Sequence, residues 1–324
     1  MVSSSAESDN PGLFKEKLGD IAEIVYGTFR RPDDIPEEIR DVNAIILGLE
    51  PMNEEAINNF PDLRIIARYG VGYDNVDVDA CTKRGIYVTH TPGVLSHAVA
   101  ELTIGLMLCL SRRILDADRY VREKWAKPEK KMLKMGIDLY GKTLGVVGLG
   151  RIGYEVAERA RAFGMKILYY DVERKSEAEI SLGAQYVDLE TLLRESDFVS
   201  LHIPLTSRTR GMIGERELKL MKPTAYVINT SRGAVIDEDA LCRALREGWI
   251  AGAGLDVFVS EPLPLDSPFI GMENVVLTPH IGTYTVETRR AMAEKCIENV
   301  RAALMGRIPP NLVPEQKKIF ENLR

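Results

Sequence analysis

The 324-residue sequence has few cysteines and no long apolar run. Its four cysteines are far apart and form no Cys-x-x-Cys pair (Cys81, Cys109, Cys242 and Cys296). This spacing predicts reduced thiols in a cytoplasmic protein and argues against a disulfide framework. No stretch of about 18 apolar residues free of charge occurs, so no membrane span is expected. The start of the chain also lacks the basic-then-apolar pattern of a secretory signal.

Excess charge is also small, because 42 basic and 48 acidic residues give a formal charge of only −6. Proteins that bind nucleic acids present a basic face to the phosphate backbone. A nucleic-acid partner is therefore not expected. No cluster of side chains has metal-ligand spacing, so no metal is expected either. A small anionic ligand stays compatible with this composition, since a few buried arginines are enough to bind one.

Short β-branched segments alternate with amphipathic segments along nearly the whole chain. In residues 151–164, for example, Ile152, Val156, Ala160 and Phe163 fall on one face of a helix. Alternation of helices with continuously apolar strands predicts α/β architecture, with parallel sheets covered on both faces. The predicted strands cover residues 22–26, 43–49, 63–70, 85–90, 143–150, 166–171, 198–203, 225–230, 253–256 and 275–280.

A long helix interrupts this alternation, predicted from Ser96 to about Glu123. Its first half is apolar on nearly every side, which is typical of a helix at a domain or subunit boundary. A charged, poorly patterned segment follows at 124–138, and a last helix at about 286–305 precedes a proline-rich tail. The pattern predicts a smaller domain in residues 1–95 and a larger one in about 96–286, with the tail belonging to either. A further strand at the start of the chain would be short, because three serines follow Met1 and Val2 directly.

A glycine-rich turn, Gly148-x-Gly150-x-x-Gly153, follows a predicted strand and begins a helix. The first glycine permits a tight turn, the second lets the backbone approach a pyrophosphate, and the third allows close packing of helix on strand. The helix N-terminus, with Arg151 and Ile152, supplies amide donors to the phosphates. The turn therefore predicts a dinucleotide site.

Asp171 ends the next predicted strand, 18 residues after Gly153. A carboxylate there accepts hydrogen bonds from the adenosine ribose hydroxyls and repels a 2′-phosphate. This favours NAD over NADP. Arg174 and Lys175 lie nearby and would soften the exclusion of NADP.

Three further polar residues follow predicted strands: Arg232 in NTSRG, Glu261 in DVFVSEP and His280 in LTPHIG. Ligands of open α/β sheets gather beyond the carboxyl ends of the strands. Taken singly, the arginine and the glutamate are each more typical of a surface side chain. Together the three provide what oxidation of a hydroxy acid requires: a proton acceptor, and a cation for the carboxylate and the developing carbonyl.

With the glycine turn, these segments resemble the D-isomer-specific 2-hydroxyacid dehydrogenase family. The likeness covers nearly the whole chain, through RYGVGYDNVD, AVAELTIGLML, GKTLGVVGLGRIG, HIPLT, VINTSRG, GLDVF and TPHIG. It implies two doubly wound parallel-sheet domains with a cleft between them. A flavodoxin-like substrate domain would comprise residues 1–95 and 287–324, and a Rossmann NAD domain residues 96–286. It also implies a homodimer formed through the long helix after Ser96.

The resemblance implies a role for each matching residue. His280 becomes the general acid/base, Glu261 the carboxylate that favours its imidazolium form, and Arg232 the clamp on substrate carboxylate and carbonyl. The backbone amides of Val71 and Gly72 would hold the same carboxylate. Further contacts with NAD are implied at His202, Pro204, Thr209, Thr230, Ser231, Asp256 and Gly282.

The sequence motifs identify the substrate less clearly than they identify the family. ARYGVGYDNVD and MGIDLYGKTLG resemble short 3-phosphoglycerate dehydrogenases, in which Arg68 would meet the substrate phosphate. RESDFVSLHIPLT and GLDVF also resemble glyoxylate and hydroxypyruvate reductases. We expect 3-phosphoglycerate first, with glyoxylate or hydroxypyruvate as the alternative. Co-repressors that sense NAD(H) are a third possibility of another class, but the complete Arg–Glu–His set favours an enzyme.

Overall fold

The computed structural model describes residues 1–126 and 134–320, and the chain divides into two compact units. Unit 1 comprises Met1–Leu95 with Thr283–Arg324, and unit 2 comprises Ser96–Gly282. The sequence pattern placed these divisions after residues 95 and 286. Residues 127–133, in the charged segment at 124–138, lie outside the described residues.

Unit 1 is built on a parallel sheet of five strands. These are β1 Val2–Ser3, β2 Tyr26–Gly27, β3 Ala44–Leu47, β4 Ile65–Arg68 and β5 Tyr87–Thr89. Their spatial order is β2-β1-β3-β4-β5, the order of flavodoxin-like folds. The helices of this unit are α1 Ser4–Asp9, α2 Leu13–Leu18, α3 Glu54–Asn58, α4 Val78–Lys83, α12 Val286–Leu304 and α13 Pro314–Phe320. The sheet therefore confirms the predicted architecture.

Unit 2 is built on a parallel sheet of seven strands. These are β6 Thr143–Val147, β7 Lys166–Tyr170, β8 Gln185–Tyr186, β9 Phe198–Leu201, β10 Tyr226–Asn229, β11 Gly252–Leu255 and β12 Val275–Leu277. Their order, β12-β11-β10-β9-β6-β7-β8, reverses between β6 and β9 as in Rossmann folds. The edge strand β8 was not predicted, because two exposed residues are too short to show a period.

Two helices of unit 2 precede β6, and the others connect its strands. In chain order, the helices are α5 Ser96–Arg112, α6 Ile114–Glu123, α7 Arg151–Ala162, α8 Ser176–Leu182, α9 Leu189–Glu195, α10 Glu215–Leu220 and α11 Glu238–Glu247. Several helices of both units begin at a capping side chain that accepts a hydrogen bond from a first-turn amide: Asn53, Asp77, Asp188, Asp237 and Thr285.

The single long helix predicted from Ser96 to Glu123 is wrong in one respect. Arg113 adopts a left-handed conformation with φ of 52° and separates α5 from α6. The two helices differ in environment: α5 packs against β10, β11 and α7, whereas α6 has no buried residue. The chain leaves the buried layer at Arg113, and the apolar pattern of α6 continues on the surface.

Apolar side chains fill both faces of the unit 2 sheet. Val146 and Ile228 belong to the cluster that contains residues of α5 and α7, whereas Val147 and Val227 belong to the cluster with α9 and α11. All four are fully buried. Because neighbouring residues of one strand enter different cores, these strands are apolar throughout, as the sequence pattern indicated.

Candidate active site

A hydrogen-bonded turn after β12 presents His280 at the carboxyl edge of the unit 2 sheet. The residue has φ of 55°, in the left-handed region that non-glycine residues seldom adopt. Its amide donates to the carbonyl oxygen of Asp256 at 2.9 Å. The Asp256 carboxylate also accepts bonds from the Thr278 hydroxyl at 2.7 Å, the Ile281 amide at 2.8 Å and the Gly282 amide at 2.9 Å. Asp256 thus fixes the turn through both its backbone carbonyl oxygen and its carboxylate.

Asp256 itself is 1% exposed. Burial raises the pKa of this carboxyl, although Thr278 and the two backbone amides favour its charged form. The family resemblance implies that Asp256 contacts NAD. Its contacts within unit 2 give it a further role, which is to position the histidine turn.

His280 pairs with Glu261 through Nδ1, which lies 2.7 Å from Oε2. The other carboxylate oxygen, Oε1, accepts a bond from the Phe258 amide at 3.0 Å. Burial raises the pKa of Glu261, but the hydrogen bond and charge of His280, the Phe258 amide and the charge of Arg232 outweigh it and lower the pKa below its usual value. The glutamate is therefore a carboxylate at neutral pH. Since Nδ1 is occupied, Nε2 is the ring nitrogen left for a substrate.

Arg232 lies in a second turn, after β10, that Asn229 holds in shape. The Asn229 side chain donates to the Arg232 carbonyl oxygen at 2.8 Å and accepts bonds from the Ser231 amide and hydroxyl. A Cβ on Gly233 would lie 2.0 Å from the Phe258 carbonyl carbon, so only glycine permits this approach. The approach brings the segment of Glu261 against the arginine turn. Asn229 was missed at the sequence level, although it is the first residue of NTSRG.

The three proposed catalytic residues therefore come from three turns of one unit. Glu261 and His280 are in direct contact, and Arg232 is near enough to favour the Glu261 carboxylate electrostatically. A cation, a carboxylate and an imidazole at one sheet edge can bind an acid and move a proton. Such an arrangement suits acid–base chemistry on a small carboxylic acid.

The glycine-rich turn joins β6 to α7 with the geometry that a dinucleotide needs. Gly148 has φ of 91°, and a Cβ on Gly153 would lie 2.1 Å from the Gly148 oxygen. A Cβ on Gly150, by contrast, would meet no atom within 4 Å. The helix begins at Arg151, followed by Ile152, so its first amides face this open space. The turn fits a pyrophosphate.

Asp171 follows β7 beside this turn. Its Oδ2 accepts a bond from the Leu149 amide at 2.8 Å and its Oδ1 from the Glu173 amide at 3.2 Å. The carboxylate is thus fixed next to the glycines, at the place where the ribose of a dinucleotide is expected. The residues present fit NAD.

The remaining predicted coenzyme contacts also lie in unit 2. His202 follows β9, where its Nε2 lies 2.8 Å from the Ser200 hydroxyl, and burial lowers its pKa, so the ring is neutral. The Thr209 hydroxyl donates to the Pro204 carbonyl oxygen at 2.6 Å. Thr230 lies after β10, with its hydroxyl 3.0 Å from that of Thr103.

In unit 1, Val71 and Gly72 follow β4 and are half-buried. The Val71 carbonyl oxygen lies 3.0 Å from Nδ1 of His90. Within residues 1–126 and 134–320, neither the Val71 nor the Gly72 amide donates a hydrogen bond to the protein. Two such amides suit the carboxylate that the sequence predicted for this loop.

Arg68, the predicted phosphate ligand, is the last residue of β4 and is only 5% exposed. Its guanidinium donates to the Tyr69 carbonyl oxygen and to the Asn75 side chain, the latter at 3.3 Å. A Cβ on Gly70 would lie 2.7 Å from Nη1. The guanidinium thus packs beneath the backbone of the loop that it precedes.

Metal ligands and membrane spans are both missing from the described ranges. No group of three or more His, Cys, Asp or Glu side chains in residues 1–126 and 134–320 is placed to hold a metal ion. Over the same residues, no helix has the length and apolarity needed to cross a bilayer.

Comparison with known proteins adds independent evidence on the family. The family model of the D-isomer specific 2-hydroxyacid dehydrogenase NAD-binding domain matches residues 104–282. A glyoxylate reductase of Korarchaeum cryptofilum is 54% identical over 284 residues, which cover 87% of this chain and 86% of the relative. This chain belongs to the D-isomer-specific 2-hydroxyacid dehydrogenase family.

Two further relatives agree with this assignment. A glyoxylate reductase of Thermococcus litoralis is 56% identical over 282 residues, covering 86% of this chain and 85% of the relative. The crystal structure of an Aquifex aeolicus D-lactate dehydrogenase, complexed with NAD and lactic acid, has a TM-score of 0.86 and 35% identity, and the match covers 96% of this chain and 98% of that one. The chain is thus an NAD-dependent 2-hydroxyacid dehydrogenase. These names do not support our ranking of 3-phosphoglycerate above glyoxylate.

Proposed function

We propose that this dehydrogenase reduces glyoxylate and hydroxypyruvate with NADH. The observation that carries the proposal is the similarity, above half of all aligned positions, to proteins named glyoxylate reductase. Our first expectation, a phosphorylated acid, came from the resemblance of ARYGVGYDNVD and MGIDLYGKTLG to short 3-phosphoglycerate dehydrogenases, in which Arg68 would meet the phosphate.

The surroundings of Arg68 also favour a substrate without phosphate. Its guanidinium donates to Tyr69 and Asn75 and lies against Gly70. These partners engage two of its N–H groups, and only 5% of the residue is exposed, so a phosphate would have to approach a buried guanidinium. Glyoxylate and hydroxypyruvate require no second anion site.

In the proposed mechanism, the residues of unit 2 bind the acid and supply the proton. Arg232 pairs with the substrate carboxylate and polarises the carbonyl. The family resemblance also implies that the Val71 and Gly72 amides donate to the carboxylate. NAD, when bound in reduced form, supplies the hydride to C2. His280 donates a proton from Nε2 to the developing alkoxide, and the Glu261 carboxylate stabilises its imidazolium form before the transfer.

The coenzyme is proposed to bind along the carboxyl edge of the unit 2 sheet. The amides after Gly148 and Gly150 would hold the pyrophosphate, and Asp171 would bind the ribose hydroxyls. Further contacts are proposed for Arg151, Ile152, Gly153, His202, Pro204, Thr209, Thr230, Ser231, Asp256 and Gly282.

A substrate panel tests this function. We expect kcat/KM for NADH oxidation to be at least about tenfold higher with glyoxylate or hydroxypyruvate than with 3-phosphohydroxypyruvate, since a phosphate would meet no available cation at Arg68. D-lactate oxidation with NAD serves as a reference for general family activity. A preference for 3-phosphohydroxypyruvate would overturn the substrate assignment and leave the family unchanged.

We also propose that the protein is a homodimer. Helix α6 has no buried residue, yet Ile114, Leu115 and Val121 expose 45%, 48% and 52% of their surfaces. Apolar side chains concentrated on one helix are typical of an interface. Leu115→Glu should give a monomer in light scattering, whereas Glu123→Lys, at the end of the same helix, should not. A monomeric parent protein would contradict the proposal.

The cytoplasm is the compartment that we propose for the enzyme. All four cysteines are free thiols, and three of them are buried. Reduced thiols are usual where glutathione and thioredoxin are present.

A further inference from the structure

We propose that Glu179 is a specificity-determining residue for the coenzyme, because it holds Arg174 in an ion pair and so prevents it from meeting a 2′-phosphate. The inference builds on the use of NAD and on the proposed ribose contact of Asp171. It assigns a selective role to a residue that does not touch the coenzyme.

The pair has a two-point geometry. Nε of Arg174 lies 2.8 Å from Oε1 of Glu179, and Nη2 lies 2.8 Å from Oε2. Bidentate arginine–carboxylate pairs are stronger and more directional than single contacts. Glu179 is the better buried partner, with 20% of its side chain exposed against 67% for Arg174. The carboxylate therefore sets the position of the arginine.

Tyr169 fixes the carboxylate in turn. Its hydroxyl donates to Oε1 of Glu179 at 2.7 Å and accepts a bond from the Lys175 amide at 2.8 Å. Both Arg174 and Tyr169 favour the charged form of Glu179, and its pKa is lowered below the usual value. The glutamate stays ionised at neutral pH and keeps its hold on the arginine.

The position of this pair explains why it concerns coenzyme choice. Arg174 is three residues beyond Asp171, in the loop between β7 and α8. A 2′-phosphate on a ribose beside Asp171 would need a cation from this loop, and the guanidinium is the side chain best suited to phosphate. To reach it, Arg174 must first leave Glu179. NADP(H) is thus disfavoured twice, by the Asp171 charge and by the engaged arginine.

The other basic residue of the loop is held less firmly. Its Nζ lies 3.1 Å from the Glu173 carboxylate, 78% of the Glu173 side chain is exposed, and Lys175 also interacts electrostatically with Asp171. An exposed single contact contributes little. The bidentate pair of Glu179 is therefore the contact in this loop that can withhold a cation from a phosphate.

A double-mutant cycle tests the proposal through coenzyme binding alone. Dissociation constants for NADH and NADPH are measured by nucleotide fluorescence for the parent enzyme, D171S, E179Q and D171S/E179Q. We expect E179Q alone to change the NADPH constant by less than about twofold, because Asp171 still repels the phosphate. In the D171S background, E179Q should tighten NADPH binding by about fivefold or more and leave NADH unchanged. This non-additivity is the signature of a sequestered arginine.

Three controls separate this role from net charge or damage to the fold. E177Q removes an equal charge from the same helix, and in the D171S background it should change NADPH binding by less than about twofold. Adding Arg174→Ala to D171S/E179Q should abolish the gain. The gain should also shrink as salt rises from about 0.05 to 0.5 M.

Additive effects of D171S and E179Q, or an equal gain from E177Q, would overturn the proposal, as would a gain that survives removal of Arg174. Because the readout is binding, these results do not depend on which 2-oxo acid the enzyme reduces. Failure of the proposed substrate would instead appear only in turnover.

Discussion

Two arginines occupy similar places in the two sheets but have different surroundings. Arg68 is the last residue of β4 in unit 1, and its guanidinium is enclosed by the loop that follows. Arg232 lies three residues beyond the end of β10 in unit 2 and is half-buried. Its turn is fixed through the backbone by Asn229.

The difference shows how the distance from a strand end decides what a polar side chain can do. A residue inside the ladder has its direction set by the pleat, so Arg68 enters the packed layer and must find partners there. A residue in the turn beyond the ladder has no such constraint. Arg232 also donates to a neighbouring carbonyl oxygen, that of Ser231 at 2.8 Å, but it is less buried than Arg68. We therefore propose that Arg232 binds the substrate carboxylate and that Arg68 supports its loop.

The largest effect should follow from changing the histidine of the unit 2 site. His280→Ala removes the proton donor, and general acid catalysis contributes about 10² to 10⁴-fold. We expect kcat for glyoxylate reduction to fall by that factor, with NADH affinity and thermal stability close to those of the parent. A kcat within about threefold of the parent at the pH optimum would remove His280 from the mechanism.

The arginine of the same site should come next. Arg232→Ala removes a charged contact with the substrate carboxylate, which is worth about 2–4 kcal/mol. kcat/KM should fall by the factor that corresponds to this free energy. Arg232→Lys should recover only part of the lost kcat/KM, because lysine cannot bind bidentately. Arg246→Ala, at an exposed arginine of α11, is the control. Equal losses in the two alanine variants would contradict the assignment.

Substitution of the unit 1 arginine, Arg68, should lower the stability of the fold and leave the catalytic rate nearly unchanged. Arg68→Met leaves the Tyr69 carbonyl and the Asn75 side chain without their donor, so the free energy of unfolding in urea should fall by about 2–3 kcal/mol. kcat/KM per folded molecule should change less than about threefold with glyoxylate. Arg64→Met, at an exposed residue just before β4, is the matched control. If Arg68→Met lowered kcat/KM with glyoxylate and left the free energy of unfolding unchanged, Arg68 would be a substrate-binding residue and the comparison would be wrong.

The same contrast explains what the sequence could predict. The glycine turn, Asp171 and the Arg–Glu–His set are local motifs, so their chemistry and spacing are visible in the chain itself. The burial of Arg68 depends on Asn75, seven residues later, and on the loop geometry around Gly70, which no period reveals. Likewise, the apolar pattern that continues past Arg113 conceals the change from a buried helix to a surface helix.

The central claim is that Glu261 favours the protonated form of His280, and the pH dependence of reduction tests it most directly. In the proposed mechanism reduction consumes a proton from His280, so kcat/KM should fall on the alkaline side of the pH profile. The geometry supports this claim, because Oε2 of Glu261 lies 2.7 Å from Nδ1 of His280, where a carboxylate stabilises a positive charge on the ring.

Glu261→Gln removes the carboxylate charge, so the alkaline limb of its kcat/KM profile should move to lower pH than that of the parent enzyme. Glu238→Gln provides the matched control, because Glu238 accepts a bond from the Val259 amide rather than from the histidine. The alkaline limb of the Glu238→Gln profile should coincide with that of the parent enzyme. A Glu261→Gln profile that superimposes on that of the parent enzyme would contradict the account.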